Sequence, residues 1–407
     1  MRCRFCSNEL THKFIDLINS PASNSFLTKE QLIEAEVFYP LRLFVCDKCF
    51  LVQIDEYKKS DEIFNNDYVY FSSFSKTWLA HAKKYVGMIT DRLNLTSRSK
   101  VIEIASNDGY LLQYFLEKKI PCFGIEPSSN TADVAREKGI ETIEAFFNID
   151  FAENYIQYTK KPDLIIGNNV LAHVPDINNF VTALKMALDD QGSITMEFPH
   201  LMLLSEYSQF DTIYHEHFSY LSLCTVNLIF KNAGLRIYDV EELSTHGGSL
   251  RIYACHELNQ QENLASVNKL LEKEKKHGLL DLRTYQHFQV KADRIKNDFL
   301  FFLLEQKQQG KKIAAYGAAA KGNTLLNYAG IKPDLLEFVC DAAPSKQGKF
   351  LPGSHIPVVK EERLREYQPD FIVIFPWNIK EEIIVQLSYI REWGGKFVVA
   401  VPELEIN

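Results

Sequence analysis

The sequence has no apolar run approaching the roughly 18 residues that a membrane-spanning helix needs, and no apolar signal core follows its opening Met-Arg-Cys-Arg. It also lacks any excess of basic charge. Its 45 Lys and Arg residues stand against 53 Asp and Glu, a formal charge of −8, which argues against a general nucleic-acid or membrane-surface binder. Neither partner is expected, and the expected location is the cytoplasm. The glycine-rich turns contain no GxGxxG fingerprint, the first of them is followed by no Walker lysine, and no HExxH occurs. Dinucleotide-loop, phosphate-loop and zincin readings therefore fit poorly. Cysteine is scarce: eight residues in a chain with no export signal read as thiols or metal ligands rather than disulfides.

What is present is ordinary globular material, 46% apolar and 24% charged over 407 residues. That length predicts two or three domains, drawn here at 1–66, 67–255 and 256–407. The fold class is α/β. The chain is organised around Val101-Ile-Glu-Ile-Ala-Ser-Asn-Asp-Gly-Tyr-Leu-Leu112. A short apolar run, a polar turn and a helical period follow one another, which predicts a strand, a tight turn and a helix, with the turn at the strand's carboxyl end. Glu103 is an acid inside the strand, Gly109 permits close backbone approach, and Ser106, Asn107 and Asp108 complete the turn. A second strand at 122–126 closes on Glu126, placed to accept from two ribose hydroxyls. This unit resembles the first βαβ of an S-adenosylmethionine (AdoMet) methyltransferase; the alternative is any α/β domain with two acidic strand tips. Strands at 101–105, 122–126, 142–145, 163–168 and 193–198, separated by helical stretches, predict a doubly wound parallel sheet. The fourth of them runs out through Asn168 and Asn169 to a loop carrying His173, at the same sheet edge.

Before this domain stand Cys3-Arg-Phe-Cys6 and Cys46-Asp-Lys-Cys49. Paired CxxC knuckles place four thiolates around one tetrahedral zinc, with no position left open for catalysis. Strand material at 38–45 leads into the second knuckle. Asp67-Tyr-Val-Tyr-Phe71 then links to an amphipathic helix at 78–93.

Beyond the sheet, Asp211-Thr-Ile-Tyr-His-Glu-His-Phe218 packs Tyr214, His215, Glu216 and His217 together, groups able to move protons near neutral pH. The spacing suits an acid/base cluster better than a metal site. His246, Ser249 and Arg251 flank a double-glycine turn that could hold an anion or could be a plain hairpin. Residues 260–309 read as a helical connector with a solvated charged face. A second strand–turn–helix begins at Lys311, its Gly317-to-Gly322 turn offering amides and Lys321 to an anion. Later strands at 338–341, 356–359, 371–375 and 397–401 make a second, smaller Rossmann-like fold.

In order, CxxC…CxxC, EIASNDGYLL, NNVLAHVPD, YHEHFSY, HGGSLR and YGAAAKGNTLLN resemble the three-domain sugar C-methyltransferases across essentially the whole chain. The resemblance implies an N-terminal zinc domain, a central AdoMet domain, a C-terminal Rossmann-like domain that binds the nucleotide sugar, and a monomer. The implied reaction methylates C3 of a dTDP- or GDP-linked 4-keto-6-deoxysugar through an enolate, giving a 3-C-methyl branched sugar. The alternative is an O- or N-methyltransferase acting on a sugar or other small metabolite. By resemblance His217 is the base, Glu216 orients it, Tyr214 donates to the enolate oxygen, and Tyr68 and His173 support the sugar. AdoMet would be held by Glu126 and the 106–109 turn, with Glu103, Asn168 and Asn169 beside it. His215, His246, Ser249, Arg251, Lys321 and Asn323 are the candidates for substrate contact, the last two for the diphosphate. The family's usual glycine is replaced by Ala105, whose methyl is expected to tighten the cofactor pocket.

Overall fold

A computed structural model describes residues 1–64 and 70–407. The chain forms two compact units that interleave along the sequence. Met1–Thr11, Cys46–Met202 and Phe218–Leu280 make the first, and His12–Val45, Leu203–His217 and Asp281–Asn407 the second. The excursion between the cysteine knuckles thus belongs with the C-terminal part of the chain. In it, β1 (His12–Ser20) pairs antiparallel with β2 (Tyr39–Val45).

The first unit contains β3 (Val52–Ile54) and a seven-stranded sheet. The sheet's parallel strands are β4 (Val101–Ile104), β5 (Cys122–Ile125), β6 (Thr142–Ile143), β7 (Leu164–Asn168) and β8 (Ser193–Pro199). Then come β9 (Ser219–Tyr220), antiparallel to β3, and the hairpin β10 (Leu235–Leu243) and β11 (Ser249–His256). The order is β10-β11-β8-β7-β4-β5-β6, so the direction of winding reverses between β4 and β7. Glu103 stands level with Gly124 on one side and Ile166 on the other. All four residues of β4 are buried, as a strand covered on both faces must be, and this is why its sequence runs apolar instead of alternating.

The helix Lys76–Arg92 begins on Ser75, whose Oγ accepts from the Trp78 amide at 3.2 Å. It buries Trp78, Ala82, Tyr85, Val86 and Ile89, a stripe at helical spacing, against a core shared with Val101, Tyr110 and Tyr253.

The second unit carries a six-stranded sheet, β14-β13-β12-β15-β16-β17. Its strands are β12 (Ile313–Tyr316), β13 (Val339–Cys340), β14 (Val358–Val359), β15 (Phe371–Ile374), β16 (Lys396–Val399) and β17 (Glu405–Ile406). All pairings are parallel except that of β17. The expected 260–309 connector is two helices, Ala265–His277 in the first unit and Phe288–Gln308 in the second. The first of them ends at Gly278, whose φ of 93° only glycine adopts without strain.

Candidate active site and zinc centre

Cys3, Cys6, Cys46 and Cys49 converge, their sulfur atoms all within 4.8 Å of one another. The closest pairs, Cys3–Cys49 and Cys6–Cys46, are 3.5 Å apart. A tetrahedral zinc with bonds of about 2.3 Å sets sulfur separations near 3.8 Å, and four soft thiolates are its preferred donor set. The residues therefore fit the metal. The hydrogen bond between Cys3 and Cys49 lowers the Cys3 thiol and raises that of Cys49, the two sharing a proton that a cation would displace. Gln53 closes the shell by donating from Nε2 to Cys3 Sγ at 3.2 Å.

At the carboxyl ends of β4, β5 and β7 lies a cavity of about 390 Å³. Asn107, Glu126, Asn168, Asn169 and His173 line it. Glu126 is buried, and each of its oxygens accepts one backbone N–H: Oε1 from Ser128 and Oε2 from Asn107, both at 2.9 Å. A carboxylate has about four acceptor positions, so two amides leave capacity for a pair of hydroxyls. Burial raises the Glu126 pKa, and the two amides oppose that shift. Asn107 adopts φ 51° and ties the turn to the preceding segment, its Oδ1 accepting from Ser72 N at 2.8 Å and its Nδ2 donating to Tyr70 O at 3.1 Å. Asp108 accepts from Ser73 N at 3.2 Å, and Lys138 lies 3.5 Å from its carboxylate. Asn168 Oδ1 and Asn169 Oδ1 are buried and find no hydrogen-bond donor among the described residues. Acceptors of this kind beside a ribose-type acid fit a ligand that carries both a vicinal diol and an ammonium group, which AdoMet does.

Other members of the turn serve the fold. Glu103 is fully buried and does not line the cavity; burial holds its pKa well above the usual carboxylate range. Ser106 is buried beside Gly124, where a Cβ would come within 2.1 Å of its Oγ. Gly109, expected to admit a ligand, instead backs onto Ile140: a Cβ there would lie 2.3 Å from Ile140 Cδ1, and φ is 73°. Ala105 lines the cavity with φ 55°. A left-handed alanine is strained, and glycine would adopt this conformation freely. Tyr68 lies outside the described residues.

The double-glycine turn is a hairpin between β10 and β11, one of the two readings its sequence allowed. Ser249 Oγ donates to Thr245 O at 3.0 Å, closing the turn. Arg251 is buried and donates to Glu197 at 2.8 Å and Glu241 at 3.1 Å, with its guanidinium over the Tyr85 ring, so its charge is already balanced. His246 alone approaches the cavity wall, its Nε2 3.0 Å from Asn169 Nδ2. Sequence reasoning missed this network, and it missed Trp78, Phe147 and Asn148, which also line the cavity. The Phe146-Phe147-Asn148 step past β6 was the available signal, being another strand tip at the same edge.

In the second unit, residues 210–217 form a short 3-10 turn, Phe210–Thr212, followed by the Tyr214–His217 loop. His217 Nδ1 lies 3.0 Å from Thr212 O. A carbonyl can only accept, so Nδ1 carries a proton, and in the neutral imidazole Nε2 then carries the lone pair. The Tyr214 ring is 4.0 Å from that of His217. Asn24 Nδ2 donates to both Glu216 oxygens at 2.9 Å. His215 Nε2 meets Pro40 O at 3.2 Å, with its ring near Tyr39.

Lys321 and Asn323 are both bonded within this unit. Lys321 donates to Asn378 Oδ1 at 2.6 Å and lies over the Trp377 ring. Burial lowers it to about 8. Trp377 Nε1 donates to Asp211 at 2.7 Å, and burial raises Asp211 to about 6. Asn323 donates to Ser23 O, and Thr324 to Ile213 O at 2.8 Å. Gly317 and Gly322 are covered by Pro376 and Phe375, so their turn is packed with the unit's own side chains.

A switch-point cavity with a ribose-type acid, set beside a closed thiolate centre, defines a zinc-bearing Rossmann-like methyltransferase. Family models agree along the chain: a zinc binding domain at residues 3–64, a methyltransferase domain at 78–240 and a C-methyltransferase C-terminal domain at 244–402. C-methyltransferase NovU of Streptomyces niveus is 32% identical over 401 residues, covering 98% of this chain and 95% of the relative. The chain belongs to this C-methyltransferase family, whose cofactors are AdoMet and a structural zinc. Solved structures that align with part of it include magnesium protoporphyrin IX methyltransferase of Synechocystis PCC 6803 with bound SAH. That structure is 16% identical, with a TM-score of 0.35 over 44% of this chain and 83% of that one. Another is a SAM-dependent methyltransferase of Anabaena variabilis, 15% identical, with a TM-score of 0.36 over 44% and 86%. No described helix is long and apolar enough to cross a membrane.

Proposed function

We propose that this C-methyltransferase acts at C3 of a nucleotide-linked 4-keto-6-deoxysugar. The observation that carries the reading is His217, held by Thr212 O in the tautomer whose Nε2 accepts a proton. A ketone at C4 acidifies the C3–H bond. His217 takes that proton, the C–H electron pair becomes the C3–C4 double bond, and negative charge settles on the C4 oxygen. Tyr214 donates a hydrogen bond to that oxygen. Glu216, fixed by Asn24, orients the histidine and stabilises the imidazolium that forms. His173 and Tyr68 support the sugar. Glu126 accepts from the ribose hydroxyls of AdoMet, and the oxygens of Asn168 and Asn169 accept from its ammonium. AdoMet supplies an electrophilic methyl group on a sulfonium. Its transfer needs alignment more than further acid or base, so the rate rests on how well donor and enolate are positioned. The nucleotide is dTDP or GDP.

The test is solvent exchange without AdoMet. In deuterated water the wild-type protein is expected to wash out the C3 proton of a keto-sugar, read by NMR. His217→Ala is expected to bind AdoMet normally and lose the exchange. Exchange at the wild-type rate in that variant removes His217 as the base.

A further inference from the structure

The zinc knuckle does more than close on itself. Arg4 sits between the metal ligands Cys3 and Cys6, and its own backbone is pinned by Gln53, whose Oε1 accepts from Arg4 N at 2.9 Å. From there its side chain reaches 171 residues along the chain, donating from Nη1 to Pro175 O at 2.6 Å. Nη2 donates to Ile54 O, and the guanidinium lies 5.4 Å from the Phe218 ring centroid. Three residues beyond Pro175, Asn178 Nδ2 donates back to Phe5 O at 2.8 Å. Pro175 belongs to a wall of the cavity, which His173, Val174, Pro175 and Asp176 all line. Asp176 also caps the following helix, accepting from Asn179 N at 2.9 Å. The knuckle therefore ties this wall twice, at Pro175 within it and at Asn178 just beyond it.

We propose that Arg4 is a positioning residue, through which the zinc knuckle sets residues 173–176 as one wall of the methyl-donor cavity. The metal then acts on donor binding although no metal ligand lines the cavity. A guanidinium is well suited to this role, because it is charged at every accessible pH and its rigid fork holds two carbonyls at a fixed spacing. A half-buried guanidinium without its acceptors is costly, so the wall and the knuckle hold each other in place.

The inference rests on the reading of this cavity as the AdoMet site. Its test is AdoMet titration by calorimetry on the full chain, with zinc content and thermal midpoint measured alongside. Arg4→Met is expected to keep one zinc per chain and to weaken AdoMet by about ten-fold or more, the scale of lost charged hydrogen bonds. KM for AdoMet should rise with it, while kcat at saturating donor changes little. Arg4→Lys is expected to recover part of the affinity through one carbonyl. Chelating the zinc of the wild-type protein is expected to weaken AdoMet similarly. If Arg4→Met fails to fold, Asn178→Ala tests the second tie, with a smaller loss expected. Wild-type affinity in zinc-replete Arg4→Met, or in Asn178→Ala where the first variant does not fold, overturns the proposal, as does unchanged affinity after chelation. No AdoMet binding by the wild-type chain would instead overturn the reading of the cavity.

Discussion

The two Rossmann-like sheets of this chain solve the same local problem in the same way and then diverge. In each, the second strand ends on an acid whose oxygens take one amide from the first turn and one from two residues ahead. For Glu126 the donors are Asn107 and Ser128, both at 2.9 Å. For Asp341 they are Ala318 at 2.7 Å and Ala343 at 2.8 Å. What differs is the space above the turn. In the first unit it is a cavity lined by polar atoms that the protein leaves unpaired. In the second, Lys346 stands 3.3 Å from Asp341 and donates to Ala318 O at 2.9 Å, while Pro376 covers Gly317. An acid at a strand tip is thus a device for fixing the turn. It becomes a ligand site only where the chain supplies no cation and no side chain to fill the gap.

This contrast can be broken at several points. The largest effect is expected from Glu126→Ala, which should weaken AdoMet by roughly 1.5–3 kcal/mol, the scale of charged hydrogen bonds. Unchanged affinity by calorimetry would remove Glu126 from the ribose. The matching change in the second unit, Asp341→Ala, should leave AdoMet affinity untouched. It should lower unfolding free energy by about 1–2 kcal/mol in a denaturant titration, because two buried amides and Lys346 lose their acceptor. A loss of AdoMet binding there would make the two acids equivalent after all. Ala105→Gly is expected to relieve a left-handed alanine and to stabilise the protein by about 1 kcal/mol at most, since the freer unfolded glycine offsets part of the gain.

The smallest effect concerns pH. Burial raises Asp211 from 3.8 to about 6, so in that window the folded state binds more protons than the unfolded one. Stability must then fall as pH climbs from 3.8 towards 6. Lys321 has the opposite sense: lowered from 10.5 to about 8, it makes stability rise across that higher window. Asp211→Asn should flatten the acid-side fall, read from thermal midpoints between pH 4 and 6. An identical slope in the variant would deny the shift.

Much of this was legible in the sequence because it is local. The strand–turn–helix at 101–112, the acid at 126 and the paired CxxC knuckles are each carried by residues close in the chain, and each appears where expected. The parts that were not legible depend on distant residues. Arg251 looked free for a substrate anion until Glu197, 54 positions away, took its charge. Gly109 and Gly317 both looked like ligand approaches, yet Ile140 and Pro376 occupy the space their missing Cβ atoms leave. Nor could spacing reveal that the excursion between the knuckles, His12–Val45, packs with the C-terminal unit, since the pairing of β1 with β2 hides its partner from any local pattern. The loop at 210–217 lies between these cases. Its proton-handling residues stood out, but the Thr212 carbonyl that selects the His217 tautomer is a backbone atom without a sequence signature.

The central claim is that a new carbon–carbon bond forms at the position next to a ketone. The most direct measurement supplies AdoMet labelled with carbon-13 in its methyl group, together with a dTDP- or GDP-linked 4-keto-6-deoxysugar, and locates the label in the product by NMR. The account predicts a labelled methyl bonded to ring C3. A label found on oxygen or nitrogen, or keto-sugars left unchanged while AdoMet binds, would contradict it.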